Sequence, residues 1–188
     1  MFSPIIASMK IMKYYLLWVV FVLIFTGCNA ENKTPKQTYP QYKIIGEDSK
    51  TIEIIKYKNK VQLLPTYTPK RPIMFFFIQP SCTECFRGIE HIERLYEEYK
   101  DKIYFFAILS DSQSNEENFK SEVETLKKNY ALNFDFYRSV DEDFLQSFDR
   151  ESDSNFIALY DSSLSLIGEY EGIIPEEMLE LDINFSLK

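Results

Sequence analysis

Cys82 and Cys85 stand at the two ends of the segment Cys82-Thr83-Glu84-Cys85, and two thiols so spaced can close a disulfide with each other or exchange one with a partner. The thiolate is the form that attacks a disulfide sulfur, so this chemistry needs surroundings that favour the anion. An apolar run, Ile73-Met74-Phe75-Phe76-Phe77-Ile78, precedes the pair. After it, Phe86, Ile89, Ile92, Leu95, Tyr96 and Tyr99 recur at helical spacing, while Glu90, Glu93, Arg94, Glu97 and Glu98 fill the opposite face. The order predicts a buried strand, the cysteines, then an amphipathic helix with both sulfurs at its N-terminus. Unpaired backbone N–H groups and the positive end of the helix dipole would stabilise a thiolate there. Cys82, ahead of the first full turn, is the expected nucleophile, and Cys85, one turn on and more sheltered, the expected resolving thiol. Glu84 opposes thiolate formation, which points to a reductant rather than a strong oxidant.

Other uses of the pair are weaker. A structural disulfide across two intervening residues closes too short a loop to stabilise much through chain entropy, although that reading stays open. Tetrahedral zinc needs about four ligands, and beyond the pair the chain offers only Cys28 and His91 as soft donors, so no metal is expected. Haem attachment would need histidine where Phe86 stands, and a copper carrier would need a distant downstream histidine that the chain lacks. His91, between Glu90 and Ile92, reads as a surface or boundary residue outside the mechanism.

The elements that must position the thiols can be read on either side. Ile103 to Leu109 is a second apolar run, so the helix between it and Ile73–Ile78 makes a βαβ unit with parallel strands, each covered by helices on both sides. Phe119, Val123, Leu126 and Tyr130 mark a second helix, Phe134 to Tyr137 continues the alternation, and a short helix falls near Phe144 to Phe148. Phe156 to Tyr160, a turn at Asp161-Ser162-Ser163, and Leu164 to Tyr170 read as an antiparallel hairpin, followed by a helix with Pro175 near its first turn. Upstream, Thr51 to Tyr57 and Val61 to Leu64 form a candidate hairpin around Lys58-Asn59-Lys60. The fold class is therefore α/β, a central mixed sheet flanked by helices, with an N-terminal β-hairpin extension.

Lys10 and Lys13 precede the twelve-residue apolar run Tyr14 to Phe25, the length of a signal-peptide core and short of the roughly 20 residues that span a bilayer. Phe25-Thr26-Gly27-Cys28 then resembles a bacterial lipobox, so residues 1–27 are expected to act as a lipoprotein signal peptide and Cys28 to carry the lipid. Residues 28–42 are polar with Pro35 and Pro40 and read as a lipidated tether, leaving 43–188 as the folded domain. The expected location is the bacterial cell envelope on the extracytoplasmic, periplasmic side, with the membrane reached through the anchor. The formal charge of −8 becomes −10 without the first 27 residues, which hold two lysines and no acid. Such a surface repels nucleic acid, and five glycines leave little for a phosphate cradle.

The sequence resembles the thioredoxin superfamily and, within it, the TlpA and ResA group of exported thiol-disulfide oxidoreductases. Phe77-Ile78-Gln79-Pro80-Ser81-Cys82-Thr83-Glu84-Cys85 is similar to their strand and redox motif, and Tyr130-Ala131-Leu132-Asn133-Phe134 to their second-helix exit. Phe156 to Gly172 is similar in pattern to their terminal hairpin, so the resemblance runs from about Ile44 to the end. It implies a thioredoxin-like fold, a redox-active Cys82–Cys85 disulfide and no bound cofactor. The implied partners are protein thiols and disulfides, with electrons from a membrane donor. Asp153-Ser154-Asn155 falls where the group has the loop that faces the disulfide and docks the partner peptide. The departures are Ser81 where the group has tryptophan, Thr83-Glu84 without a proline between the cysteines, and no cis-proline at 153–155. A non-proline cis bond costs about 2.5–4 kcal/mol, so that loop is expected to be trans. The same departure supports an alternative, a non-catalytic binding or assembly lipoprotein with an acidic, aromatic-rich surface.

Overall fold

Every residue of the run Ile73–Ile78 is buried, so both faces of this strand need cover, and the chain supplies it differently on each. The computed structural model describes residues 39–64, 70–80, 86–109, 116–141, 143–150 and 155–188, all within the unit Tyr39–Lys188. The strands are β1 (Gln41–Gly46), β2 (Thr51–Tyr57), β3 (Lys60–Leu64), β4 (Ile73–Ile78), β5 (Tyr104–Leu109), β6 (Phe136–Ser139), β7 (Phe156–Tyr160) and β8 (Leu166–Glu171). Among the described residues the helices are α1 (Ile89–Tyr99), α2 (Glu116–Tyr130) and α3 (Glu176–Ser186), and Gln146–Phe148 forms a 3₁₀ turn. The strands form one mixed sheet in the order β3-β2-β1-β6-β5-β4-β7-β8. β4, β5 and β6 run parallel, and β7 returns antiparallel to β4.

The α/β reading holds, but the helices share one face. β4 to β5 and β5 to β6 are successive crossovers that step the same way across the sheet, and right-handed crossovers in one direction put both helices on one side. Ile89, Ile92 and Leu95 of α1, Phe119 and Val123 of α2, and Leu179 and Ile183 of α3 all pack with Phe76, Ile78, Ala107 and Ile157 of the sheet. The expectation that helices cover β4 on both sides is corrected accordingly.

The other face is closed by the sheet itself. Ile44, Ile54, Val61 and Leu63 of β1–β3 turn inward over Phe75, Phe77, Ile108 and Ala158, with Phe144 and Phe148 from the 3₁₀ segment filling the gap. The curl brings the first strand of the sheet order to the β7–β8 turn. Val61 N–H donates to the Leu164 carbonyl at 3.1 Å, Leu166 N–H donates to Asn59 at 2.7 Å, and Lys60 bridges Ser165. A sheet that covers its own face without a full helix needs large side chains to fill the space. Phe144 accordingly meets the rings of Tyr42, Phe75, Phe77 and Phe148 at centroid distances of 4.9, 5.9, 5.4 and 5.7 Å. β1 begins at Gln41, so Gln41 and the buried Tyr42, two residues of the stretch read as tether, belong to the sheet.

Phe144→Ala should empty the centre of this aromatic cluster and cost about 3–5 kcal/mol, read as a lowered urea midpoint at unchanged slope. A loss under about 1 kcal/mol would mean that the 3₁₀ segment is not what closes this face.

Candidate functional site

The sheet register assembles one rim. β4 ends at Ile78 opposite Leu109, where β5 ends, and Phe77 of β4 faces Phe156, where β7 begins. Phe156 in turn faces Glu171, the end of β8. The connection that contains Cys82 and Cys85 therefore leaves from the carboxyl ends of the parallel strands, the edge at which open α/β sheets carry their sites. Cys82, Cys85, Cys28, Asp153 and Ser154 lie outside the described residues. Asn155, the third residue of the expected docking loop, is described and sits one step before β7, beside the exit of β4.

The residues flanking the cysteine segment are firmly held. Gln79 is only 7% exposed and its N–H donates to Asn155 Oδ1 at 3.3 Å. Asn155 is 5% exposed, and its carbonyl accepts the Gly172 N–H at 2.8 Å. On the far side, Phe86 is buried and stacks on Tyr130, the last residue of α2, with centroids 4.8 Å apart and planes 9° from parallel. Phe86 thereby fixes the downstream end of the segment to a helix terminus.

The regular helix starts later than the sequence indicates. α1 begins at Ile89, and Gly88 just before it has φ +82°, a left-handed conformation that suits glycine. The periodic apolar residues begin with Phe86, which made the helix look longer than it is. The first N–H groups of α1 thus belong to residues beyond Gly88, and Phe86 ahead of it is in a 3₁₀ turn. Ile173 Cγ2 lies 3.2 Å from where a Cβ on Gly88 would stand, so the glycine also lets the link between β8 and α3 approach the start of α1.

Between these segments lies a small cleft with Phe76, Ile89, Ile92, Asn155, Ile157 and Ile174 on its walls. Arg87, which is exposed, and Ile173, which is 58% exposed, also line it. Arg150, at the upstream end of the expected docking loop, is tied to β8 through Glu171 at 3.1 Å and Glu169 at 3.7 Å, with its guanidinium over the Phe156 ring. His91 lies on the first turn of α1, half-buried, with no hydrogen-bond partner for Nδ1 among the described residues. Arg94 of α1 pairs with Glu176 of α3 at 2.5 Å and holds that carboxyl below the usual carboxylate range. Among the described residues no group of three or more acidic, histidine or cysteine side chains could hold a metal, and no helix is long and apolar enough to cross a membrane.

Sequence reasoning missed Gln79, Gly88 and Ile173. Gly88 carried a signal, a lone glycine within an otherwise helical pattern; Ile173 carried only its position after Gly172. Gln79 carried none, because its burial follows from strand register.

No protein-family model matches the chain. No curated protein matches it in sequence. Solved structures do match it in shape. The exposed lipoprotein thioredoxin Etrx1 of Streptococcus pneumoniae superposes with a TM-score of 0.59 at 16% identity, over 78% of this chain and 99% of that one. An uncharacterized thioredoxin-like protein from Porphyromonas gingivalis gives 0.57 at 15% identity, over 79% and 91%. A thiol-disulfide isomerase from Corynebacterium glutamicum gives 0.52 at 11% identity, over 63% and 82%. The likeness is one of fold: this chain has the thioredoxin-like fold.

Gly88→Val should strain the left-handed residue and press on Ile173, lowering stability by about 1–3 kcal/mol in equilibrium denaturation. Stability equal to that of the wild type would show that neither the backbone conformation nor the close approach of Ile173 constrains this position.

Proposed function

We propose that the protein is a membrane-anchored, extracytoplasmic thiol-disulfide oxidoreductase acting on protein disulfides through Cys82 and Cys85. What supports the reading is where the chain around the C-x-x-C segment is described: the segment joins the carboxyl end of a fully buried strand to the residues before α1, next to a small cleft lined by Asn155, Gly172 and Ile173. A partner disulfide reaching Cys82 would lay its flanking apolar residues against that cleft, with Ile173 as an exposed contact.

In the forward direction the Cys82 thiolate attacks one sulfur of the partner disulfide, forming a mixed disulfide and releasing the other sulfur as a thiolate. Cys85, as thiolate, then attacks the Cys82 sulfur. This breaks the mixed disulfide, frees the second partner thiolate and leaves Cys82–Cys85 oxidised, so two electrons pass to the partner. Another turnover requires a reduced dithiol donor at the membrane to reverse these exchanges on the Cys82–Cys85 bond. No bound cofactor enters the cycle. Glu84, between the two cysteines, opposes the thiolate, which favours a reductant or isomerase over a strong oxidant. The lipid on Cys28 and the tether that follows keep the domain near the membrane, where such a donor would lie. The pneumococcal lipoprotein thioredoxin and the corynebacterial isomerase support this reading by fold.

A second reading follows from the absence of proline in Asp153-Ser154-Asn155. On that reading the fold binds a partner without exchanging thiols.

Two variants separate the readings and a third tests the anchor. Cys82→Ser should reduce the rate of insulin reduction by at least about 100-fold; a rate equal to wild type would remove Cys82 from the mechanism. Cys85→Ser should accumulate mixed disulfides with partner proteins on non-reducing gels, and non-covalent binding without any such trap would favour the second reading. Cys28→Ser should abolish labelling by a fatty-acid probe, whereas unchanged labelling would exclude Cys28 as the lipid site.

A further inference from the structure

Leu179, Ile183 and Ser186 turn the inner face of α3 to the core, as a helix laid against a sheet requires. The outer face of such a helix is expected to be polar, and here it is not. Met178, Leu181 and Phe185 recur on it at spacings of three and four residues and are 43%, 70% and 67% exposed. Single exposed apolar side chains need no explanation, but three in line on one helix face mark an interaction surface. The helix is held from its sides by other residues. Arg94 of α1 pairs with Glu176 at 2.5 Å, and the Tyr170 hydroxyl donates to Asp182. The stripe itself is thus left to face outward on a fixed helix.

Charge decides what covers it. Glu177 stands four residues before Leu181, and Lys188 three residues after Phe185, both exposed. The helical turn continues that far, since Leu187 N–H donates to the Ile183 carbonyl and Lys188 N–H to that of Phe185. Glu177 and Lys188 therefore close the two ends of the same stripe. A stripe with an acid at one end and a base at the other is complementary to its own reversed copy. Two α3 helices packed antiparallel about a two-fold axis set Met178 of each near Phe185 of the other and Leu181 near the axis. Glu177 then meets Lys188 at both ends. A membrane surface fits worse. Helices that lie among headgroups carry Lys and Arg on their polar face, whereas α3 carries Glu176, Glu177, Glu180 and Asp182, which anionic lipid repels. We propose that α3 is a self-association surface through which two copies of this chain pair antiparallel. The apolar residues supply the affinity, and the Glu177–Lys188 pairs set the register, because exposed ion pairs contribute little strength. One helix pair is small beside the roughly 800 Å² per partner of a standard interface, so the dimer is reversible. The contact uses neither Cys82 nor Cys85 and stands whether or not the chain exchanges thiols.

The test uses the full-length chain, mixed equally in unlabelled and heavy-nitrogen-labelled forms and reconstituted at low density in phosphatidylcholine vesicles. A water-soluble carbodiimide joins a carboxylate to an amine only where the two touch. The expected product is a Glu177–Lys188 peptide pair of mixed isotope, which must come from two copies. Leu181→Glu and Phe185→Glu place like charges in the contact, and each should lower that product at least about tenfold. Because both positions are exposed, Tm should stay within about 2 °C of wild type in each variant. Glu177→Lys combined with Lys188→Glu should restore a mixed-isotope pair with the two roles exchanged. No mixed-isotope product from the wild type overturns the proposal, as does a product that persists undiminished in both Leu181→Glu and Phe185→Glu. Labelling of residues 178–185 by a photoactivatable lipid in place of the crosslink gives the face to the membrane and overturns it equally.

Discussion

Burial of β4 on both faces is the constraint from which the architecture follows. Six consecutive apolar residues with no exposed position commit the chain to cover both sides of one strand. The parallel partner β5 and the antiparallel partner β7 fill its two edges, which leaves the faces as the only remaining freedom. One face takes the three described helices. The other takes the aromatic cluster around Phe75, Phe77 and Phe144 beneath the curled β1–β3 meander. Fully burying each such ring is worth about 1.5–3 kcal/mol, so a cover made of phenylalanines can do the work of a missing helix. A strand held on both faces and both edges also has a rigid end, and that end delivers the chain to Cys82.

Local pattern made much of this readable. The runs Ile73–Ile78 and Phe156–Tyr160, the periodic buried residues of α1 and α2, and the turn held by Asp161 are all short-range signals, and each appears where its pattern points. What could not be read is what depends on distant partners. β6 is four residues long, and its place between β1 and β5 is fixed by pairing with both and by Glu47, which accepts the Phe136 N–H at 2.7 Å and pairs with Lys127 at 2.7 Å. The side taken by the helices follows from the direction of two crossovers, and the closure of β3 onto the β7–β8 turn follows from sheet curl. Neither leaves a periodic trace in the sequence.

The site shows the same division. The C-x-x-C spacing and the apolar strand before it are plain in the sequence, and the proposed chemistry rests on them. The start of α1 was misplaced because Phe86 continues the apolar rhythm while Gly88 breaks the helix, so periodicity and backbone conformation conflict over three residues. Asn155 looked like one member of a polar loop, yet its burial and its bond to Gln79 make it part of the rim's framework. The rim is held by the bond from the Gln79 N–H to Asn155 and by the ion pairs of Arg150 with Glu169 and Glu171.

The central claim is that Cys82 and Cys85 form a working redox couple, and the most direct test is its reduction potential. The full-length chain would be equilibrated in glutathione or dithiothreitol buffers and the two thiols trapped and counted. A reversible two-electron couple within or near the range of about −270 to −120 mV, spanned by thioredoxin and strongly oxidising relatives, is the predicted result, toward its reducing end. A pair that stays oxidised well below about −300 mV, or that never closes, would contradict the account and leave the thioredoxin-like fold with a structural or binding role.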